Sequence, residues 1–267
     1  MRKTVKIVAL ALALTLVASA FGCSKKVKLK ILDTEYAEED YSICVSKENT
    51  QLLADINAAL DELIKDGTVG KIIDKYISGT SHDMKFQQNA EGKPTLTMAT
   101  NAEFPPYEFF QSGQIVGIDP EIAAAIADKL GMKLVIDNMD FGAIIAAVQT
   151  GKVDMGMAGM TVTDERLQTI NFSTSYAKGV QVIIVREDSD IKTADDLFAG
   201  TKMYTIGVQQ DTTGDLYTTW DLEDEGLATI DRYNKGADAV MALTSGKVDC
   251  VVIDIEPAKS FVASNNK

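Results

Sequence analysis

Val153-Asp-Met-Gly-Met157 runs straight into Ala158-Gly-Met-Thr-Val-Thr-Asp-Glu-Arg166. The first five residues form a short apolar run that reads as a buried strand. Thr163, followed by Asp164, Glu165 and Arg166, reads as a helix start, with Thr163 as N-cap and the acids in the first turn. A strand end, a glycine and a helix start make a concave corner whose backbone N–H groups point outward. Arg166 adds a planar fork of donors. Such a corner suits a carboxylate. The same residues also fit a capped surface helix with Arg166 paired to a neighbouring acid, and the local pattern leaves both readings open.

The residues leading into this corner recur. Ala147-Val-Gln-Thr-Gly-Lys-Val-Asp154 is answered by Ala242-Leu-Thr-Ser-Gly-Lys-Val-Asp249, with Ala, Gly, Lys, Val and Asp repeated in place. In each copy a helix ends at glycine and a buried strand begins at Val-Asp. The strands are expected to end at Gly159 and Asp254. Two lobes built alike would set these ends facing each other across a cleft, where the carboxyl ends of parallel strands bind ligands. Working outward, strands are expected at 27–32, 42–45, 96–100, 133–139, 180–185, 203–208, 227–233 and 248–253. Helices fall between them, with Leu52, Ile56, Leu60 and Leu63 at helical spacing and Pro120 at a favoured first position. Residues 33–40 read as acidic and irregular, and 78–94 as a polar linker. The alternation of strand and helix argues for parallel sheets covered by helices.

The chain has 267 residues, 46% of them hydrophobic, with 26 basic against 39 acidic side chains. It is long enough for two lobes with their own cores. The acidic balance excludes a nucleic-acid partner, which would need a basic face. Arg2, Lys3 and Lys6, then the apolar stretch 7–21, read as a signal peptide over residues 1–22. Cys23 follows Ala20-Phe21-Gly22 and resembles a bacterial lipoprotein processing site, so residues 23–26 are expected to be a lipidated tether. Cys44 and Cys250 sit in apolar runs and read as buried small hydrophobes. The sole histidine, His82, lies in the polar linker, so neither a metal nor a cofactor is expected.

Several runs together resemble a known family: Ala99-Thr-Asn-Ala-Glu-Phe-Pro-Pro-Tyr107, Gly117-Ile-Asp119, Met139-Asp-Phe141, Ala158 to Arg166 and Asn171-Phe-Ser173. Val208 to Thr213 and Val248 to Asp254 match more loosely. The chain is similar to the periplasmic polar-amino-acid-binding proteins that feed ABC importers, above all the glutamine-binding and lysine/arginine/ornithine-binding members. The resemblance implies an α/β, two-lobed type II periplasmic-binding-protein fold with a two-strand hinge. It implies a free polar L-amino acid, neutral or basic, as ligand, importer membrane subunits as partners, and an extracytoplasmic location at a membrane through the Cys23 anchor. By the same resemblance Arg166 would hold the ligand carboxylate, in a corner made with Gly159, Met160 and Thr161. Asp254 would take the ammonium, and Phe104 and Phe141 would sandwich the side chain. Gln209, Thr212 and Thr213 would contribute from the second lobe. Asn101 stands where close relatives often carry an acid, and Glu103 is a candidate to compensate.

The order of the matching segments departs from the family. Residues 41–77 look like the family's C-terminal end, yet they precede its N-terminal start near Thr95. This reads as a circular permutation, with 78–94 joining the old ends. Lobe 1 is then expected to be continuous over 41–184. Lobe 2 would combine 185–267 with 27–40, and the chain would cross near 33–40 and 182–186. Strand 27–32 is expected beside 248–253 or 203–208, or else swapped into a second copy. Two other functions compete with binding. One is an enzyme on the same scaffold, like the cyclohexadienyl dehydratases, with Glu103 as its acid or base. The other is a sensory ligand-binding module.

Overall fold

The computed structural model describes residues 26–82 and 92–267. The expected signal peptide, Cys23 and residues 83–91 of the linker lie outside the described residues. Among the described residues no helix is long and apolar enough to cross a membrane.

Three short strands come first: β1 (Leu29–Ile31), β2 (Ala37–Tyr41) and β3 (Cys44–Ser46). Helix α1 (Thr50–Lys65) starts where the Asn49 side chain accepts the Leu52 N–H at 3.3 Å, a cap that satisfies an otherwise orphaned donor. It buries Ile56, Ala59, Leu60 and Leu63 along one face. Gly67, at φ 80°, turns the chain into α2 (Thr68–Ile77), a left-handed conformation that glycine adopts without steric cost. Next come β4 (Thr95–Thr100), then β5 (Glu103–Phe104), β6 (Glu108–Gln111) and β7 (Gln114–Val116), α3 (Ile118–Lys129), β8 (Lys133–Asn138) and α4 (Phe141–Gln149). The corner is bounded by β9 (Met155–Gly156) and α5 (Asp164–Leu167). After β10 (Ile170–Phe172) and the long β11 (Ala177–Arg186) come α6 (Asp195–Phe198), β12 (Tyr204–Gln209) and α7 (Thr213–Thr218). A π-helical turn, Thr219–Glu223, extends α7. The chain closes with β13 (Ala228–Tyr233), α8 (Gly236–Thr244), β14 (Cys250–Asp254) and α9 (Ile255–Asn266).

Two mixed sheets organise these elements. The first runs β10-β3-β9-β4-β8, with β4 parallel to β8 and β9, and with β3 and β10 antiparallel. The second runs β1-β11-β14-β12-β13, with β12 parallel to β13 and β14, and β2 also on β11. Each is parallel at its centre and antiparallel at one side, so the expectation of wholly parallel sheets is corrected there. On the first sheet, α1, α2 and α3 pack against one another over Leu96, Met98 and Met155, while α4 covers the other face through Ile144 and Val148. Each large aliphatic side chain so buried contributes about 1.5–3 kcal/mol.

Three placements differ from the sequence reading. Strand β1 pairs with β11, Leu29 opposite Arg186 and Ile31 opposite Ile184, and not with 248–253 or 203–208. The reason is that β14 has β11 and β12 on its two edges, and β12 has β14 and β13, so neither has a free edge, and β1 takes the outer edge of β11. All of β11 belongs to the second sheet, because it zips onto β14 from Gln181–Asp254 to Val185–Cys250. The chain therefore passes between the sheets at 42–43 and 173–176 instead of 33–40 and 182–186. Finally, the stretch expected to be irregular holds β2, which pairs with β11 from Ala37–Gln181 to Tyr41–Ala177. At the far side, the Asn266 side chain accepts the Leu29 N–H at 3.0 Å and donates to the Leu29 carbonyl at 2.8 Å. Asn265 donates to the Val27 carbonyl at 2.8 Å.

Candidate functional site

The carboxyl ends of the central strands from both sheets converge. From the first sheet, β4 leads into Asn101, β8 into Phe141 and β9 into the Ala158–Arg166 corner. From the second, β12 ends at Gln209 and β14 at Asp254. Between them lies a narrow pocket lined by Asn101, Phe104, Glu108, Phe141, Ala158, Gly159, Arg166, Gln209, Thr212, Thr213 and Asp254.

Arg166 is 5% exposed. Thr163 caps the start of α5, its hydroxyl accepting the Arg166 N–H at 3.2 Å, and this aims the side chain into the cavity wall. Its Nη1 donates to the Thr161 carbonyl at 2.9 Å, and its Nη2 crosses to the Asp211 carbonyl at 3.0 Å. The guanidinium lies 5.4 Å from the Phe141 ring centre, a cation–π arrangement. Among the described residues Arg166 joins no salt bridge, so the alternative of an Arg paired to a surface acid does not hold. Burial pulls its pKa below the ordinary guanidinium value, with the Glu39 charge opposing. Gly159 has φ 52°, and a Cβ there would strike the Phe104 ring, so glycine is what lets the aromatic ring lie on the corner.

Acids gather opposite. Asp254 is fully buried and receives the Tyr41 hydroxyl. Burial, then the Glu39 charge, raise its pKa well above the carboxylate range. Glu39 projects inward from β2 and accepts from Gln181 Nε2 at 3.1 Å. Glu108 is buried, and desolvation and then Asp119 push its pKa well above normal. Asp119 accepts the Gly159 N–H at 2.9 Å and the Tyr176 hydroxyl at 3.0 Å; burial raises it to about 6. Glu39 Oε1, Glu108 Oε2, Asp119 Oδ1 and Gln181 Oε1 are buried acceptors with no donor. Such atoms are costly unless a donor reaches them.

Three anticipated residues lie elsewhere. Met160 is fully buried and packs in the core with Ile144 and Ile170. Thr161 stands behind the wall, its carbonyl on Arg166 and its hydroxyl 3.5 Å from that of Thr213. Glu103 sits half-exposed at the rim in an ion pair with Lys235 at 2.6 Å. Asn101 bridges the lobes, its Oδ1 accepting from Gln209 Nε2 at 3.0 Å. Sequence reasoning missed Glu39, Tyr41, Glu108, Asp119 and Gln181. For Glu39 a signal existed: alternation along β2 puts it on the same face as the buried Tyr41.

Two α/β lobes, linked by two chain passages and closed on a charged cavity, define a protein that encloses a small polar solute. The chain belongs to the bacterial extracellular solute-binding proteins, family 3, whose pattern matches residues 96–241. It is 34% identical over 176 residues to the arginine-binding extracellular protein ArtP of Bacillus subtilis, covering 66% of this chain and 67% of that one. A probable histidine-binding protein of Campylobacter jejuni is 29% identical over 186 residues, 68% of this chain and 70% of that relative. Among solved structures, the arginine-bound form of truncated ArgBP from T. maritima superposes with TM-score 0.58 at 39% identity, over 64% of this chain and 79% of that one. An ancestral amino acid-binding protein, AncCDT-1, described as a precursor of cyclohexadienyl dehydratase, gives TM-score 0.55 at 31% identity over 73% of each chain.

Proposed function

We propose that this solute-binding protein captures a cationic L-amino acid, arginine foremost, and hands it to the membrane subunits of an ABC importer. One observation carries the reading: the buried Arg166 fork, in no salt bridge among the described residues, shares a pocket with the buried carboxyls of Glu108 and Asp254. A ligand carboxylate matches Arg166, an ammonium matches Asp254, and a guanidinium reaches Glu108 past Phe104 and Phe141. Asn101 and Gln209 are already committed to each other, so Glu108 supplies the acid that Asn101 lacks. Relatives that carry arginine- and histidine-binding names support this ligand class. The test is a thermal-shift screen of the proteinogenic amino acids followed by calorimetry, since a ligand of the native state raises the melting temperature. Arginine should give the largest shift; no shift with any amino acid would end the reading.

The site residues, the lipid anchor and the permuted order belong to the same proposal. The Ala-Phe-Gly-Cys23 pattern supports anchoring at the outer face of the membrane. A family match that begins at Leu96, while β3, α1 and α2 pack with the 96–148 segment, supports the permutation, as do the contacts of Asn265 and Asn266 with Val27 and Leu29. A second reading, an enzyme acting on a cyclohexadienyl acid, is favoured by one observation: Glu108 is a buried carboxyl lining the pocket, and burial and then Asp119 raise its pKa well above the ordinary range. Glu103, the acid considered for that role from sequence, is tied to Lys235 instead. Incubation with such an acid, followed by absorbance of an aromatised product, separates the two readings.

A further inference from the structure

We propose that Asp211 is a closure residue of the second lobe: its carboxylate seats on the start of α4 in the first lobe, in the gap that Gly142 leaves, while its carbonyl holds Arg166. The idea rests on the amino-acid reading of the pocket and adds a positioning residue that acts on the ligand through the closed form. Helix α4 begins after Asp140, whose side chain makes no capping bond, so the helix start has no cap of its own. A carboxylate is favoured at such a start, and one arrives from across the cleft. A Cβ built on Gly142 would overlap Asp211 Oδ2 and lie 3.0 Å from its Cγ. Gly142 is the second residue of α4 and has helical backbone, a conformation open to any L residue but proline. The missing side chain therefore serves the contact and not the backbone.

The turn around Asp211 is built to present it. Asp211 has φ 65°, a left-handed conformation that Asp tolerates better than most L residues. Its N–H donates to Asp215 Oδ2 at 2.9 Å, and Asp215 Oδ1 pairs with Arg232 Nε at 2.9 Å. Held this way, one residue between β12 and α7 turns two groups toward the other lobe. The carbonyl accepts Arg166 Nη2 at 3.0 Å, and the carboxylate lies on α4. That helix starts at Phe141, whose ring faces the Arg166 guanidinium. Asp211 stands outside the pocket lining, yet it touches both Arg166 and the helix that carries Phe141, and separation of the lobes breaks both contacts.

Stopped-flow fluorescence reads closure, because Trp220, the single tryptophan, shares a groove with Thr163 and Gln168 of the other lobe. Gly142→Ala should speed L-arginine release, and weaken its affinity, by about three- to tenfold. Association should stay close to the wild-type rate, because the ligand enters the open form. The melting temperature of the ligand-free variant should hold or rise, since alanine is the better helix former. Asp211→Gly keeps the carbonyl and adopts the same φ freely; it should weaken binding by itself, and Gly142→Ala added to it should cost nothing further. A Gly142→Ala protein that binds L-arginine within about twofold of wild type would overturn the proposal. So would an equal loss from Gly142→Ala in both backgrounds, or a loss matched by a lower melting temperature of the ligand-free protein. Failure of the wild-type protein to bind any amino acid would instead defeat the underlying functional reading.

Discussion

Arg166→Ala is the perturbation that most directly tests the site. Arg166 is 5% exposed, holds the Thr161 and Asp211 carbonyls at 2.9 and 3.0 Å, and lies over Phe141. Removing one partner of a buried, hydrogen-bonded charge pair costs about 2–5 kcal/mol of binding. The narrow pocket argues against the low end, because little water screens the ligand carboxylate. The corner's backbone donors remain, which argues against the high end. A loss of about 3 kcal/mol corresponds to roughly 150-fold weaker binding. The variant also breaks a contact between the lobes, so weaker closure must be separated from lost recognition. Agmatine, arginine without its carboxylate, does this in a double cycle. Wild-type protein should bind agmatine about 100-fold more weakly than L-arginine, and Arg166→Ala should cost agmatine far less than it costs L-arginine. Calorimetry of both ligands on both proteins gives the four constants. An Arg166→Ala protein that melts cooperatively and binds L-arginine within about threefold of wild type would refute the assignment. Equal losses for the two ligands would show that Arg166 serves closure alone.

Glu108→Gln should weaken L-arginine binding by at least about tenfold while leaving glutamine or citrulline within about twofold, measured by calorimetry, because only a guanidinium needs the carboxylate. Gly159→Ala should lower stability by about 1–3 kcal/mol in urea unfolding, since φ 52° strains any L side chain and the added methyl meets Phe104. Asp119 titrates near 6 in the folded protein, above its unfolded value near 4. Its raised pKa therefore contributes stability that is full below about pH 4 and lost as the pH rises through about 6. The unfolding free energy of wild type relative to Asp119→Asn should fall across that window by on the order of 3 kcal/mol, and a flat difference would mean that the carboxyl is not desolvated as described.

Much of this arrangement is legible in the sequence. The Val153–Arg166 run carries its own grammar: apolar strand, glycine, capped helix, inward arginine. The repeat at 242–249 pointed to a second strand end, and Asp254 stands there. The departures have physical causes. Strands of two to four residues, such as β5, β6 and β7, are too short to show a period. Edge pairing is decided by which sheet edge is free, and the β1 sequence Leu-Lys-Ile does not encode that. Buried acids were the harder class. Glu39 lies among Glu38, Asp40 and Asp33, where composition says solvent, and only its phase relative to Tyr41 says interior. Glu108 lies in Tyr-Glu-Phe-Phe, where a lone acid between aromatics gives no hint that Asp119 is its neighbour.

Both chain passages between the lobes end on the site itself. Strands β2 and β11 flank those passages and carry Glu39, Tyr41 and Gln181, and these side chains reach Asp254 on β14 and Thr213 on α7. The strands that set the relation of the lobes are therefore also the ones that present the acidic wall. Arg166 answers from the opposite lobe and touches Asp211 beyond β12. Any separation of the lobes that releases Arg166 from the Asp211 carbonyl admits water to Glu39 and Asp254. Water lowers the cost of a charged carboxylate, so burying these acids in the closed form is the costly step. Closing without a ligand buries these acids with unfilled acceptors, while closing on an ammonium supplies donors to them. Domain closure and charge recognition are thus one equilibrium, biased toward the closed form by a ligand that brings a cation to the acids and an anion to Arg166.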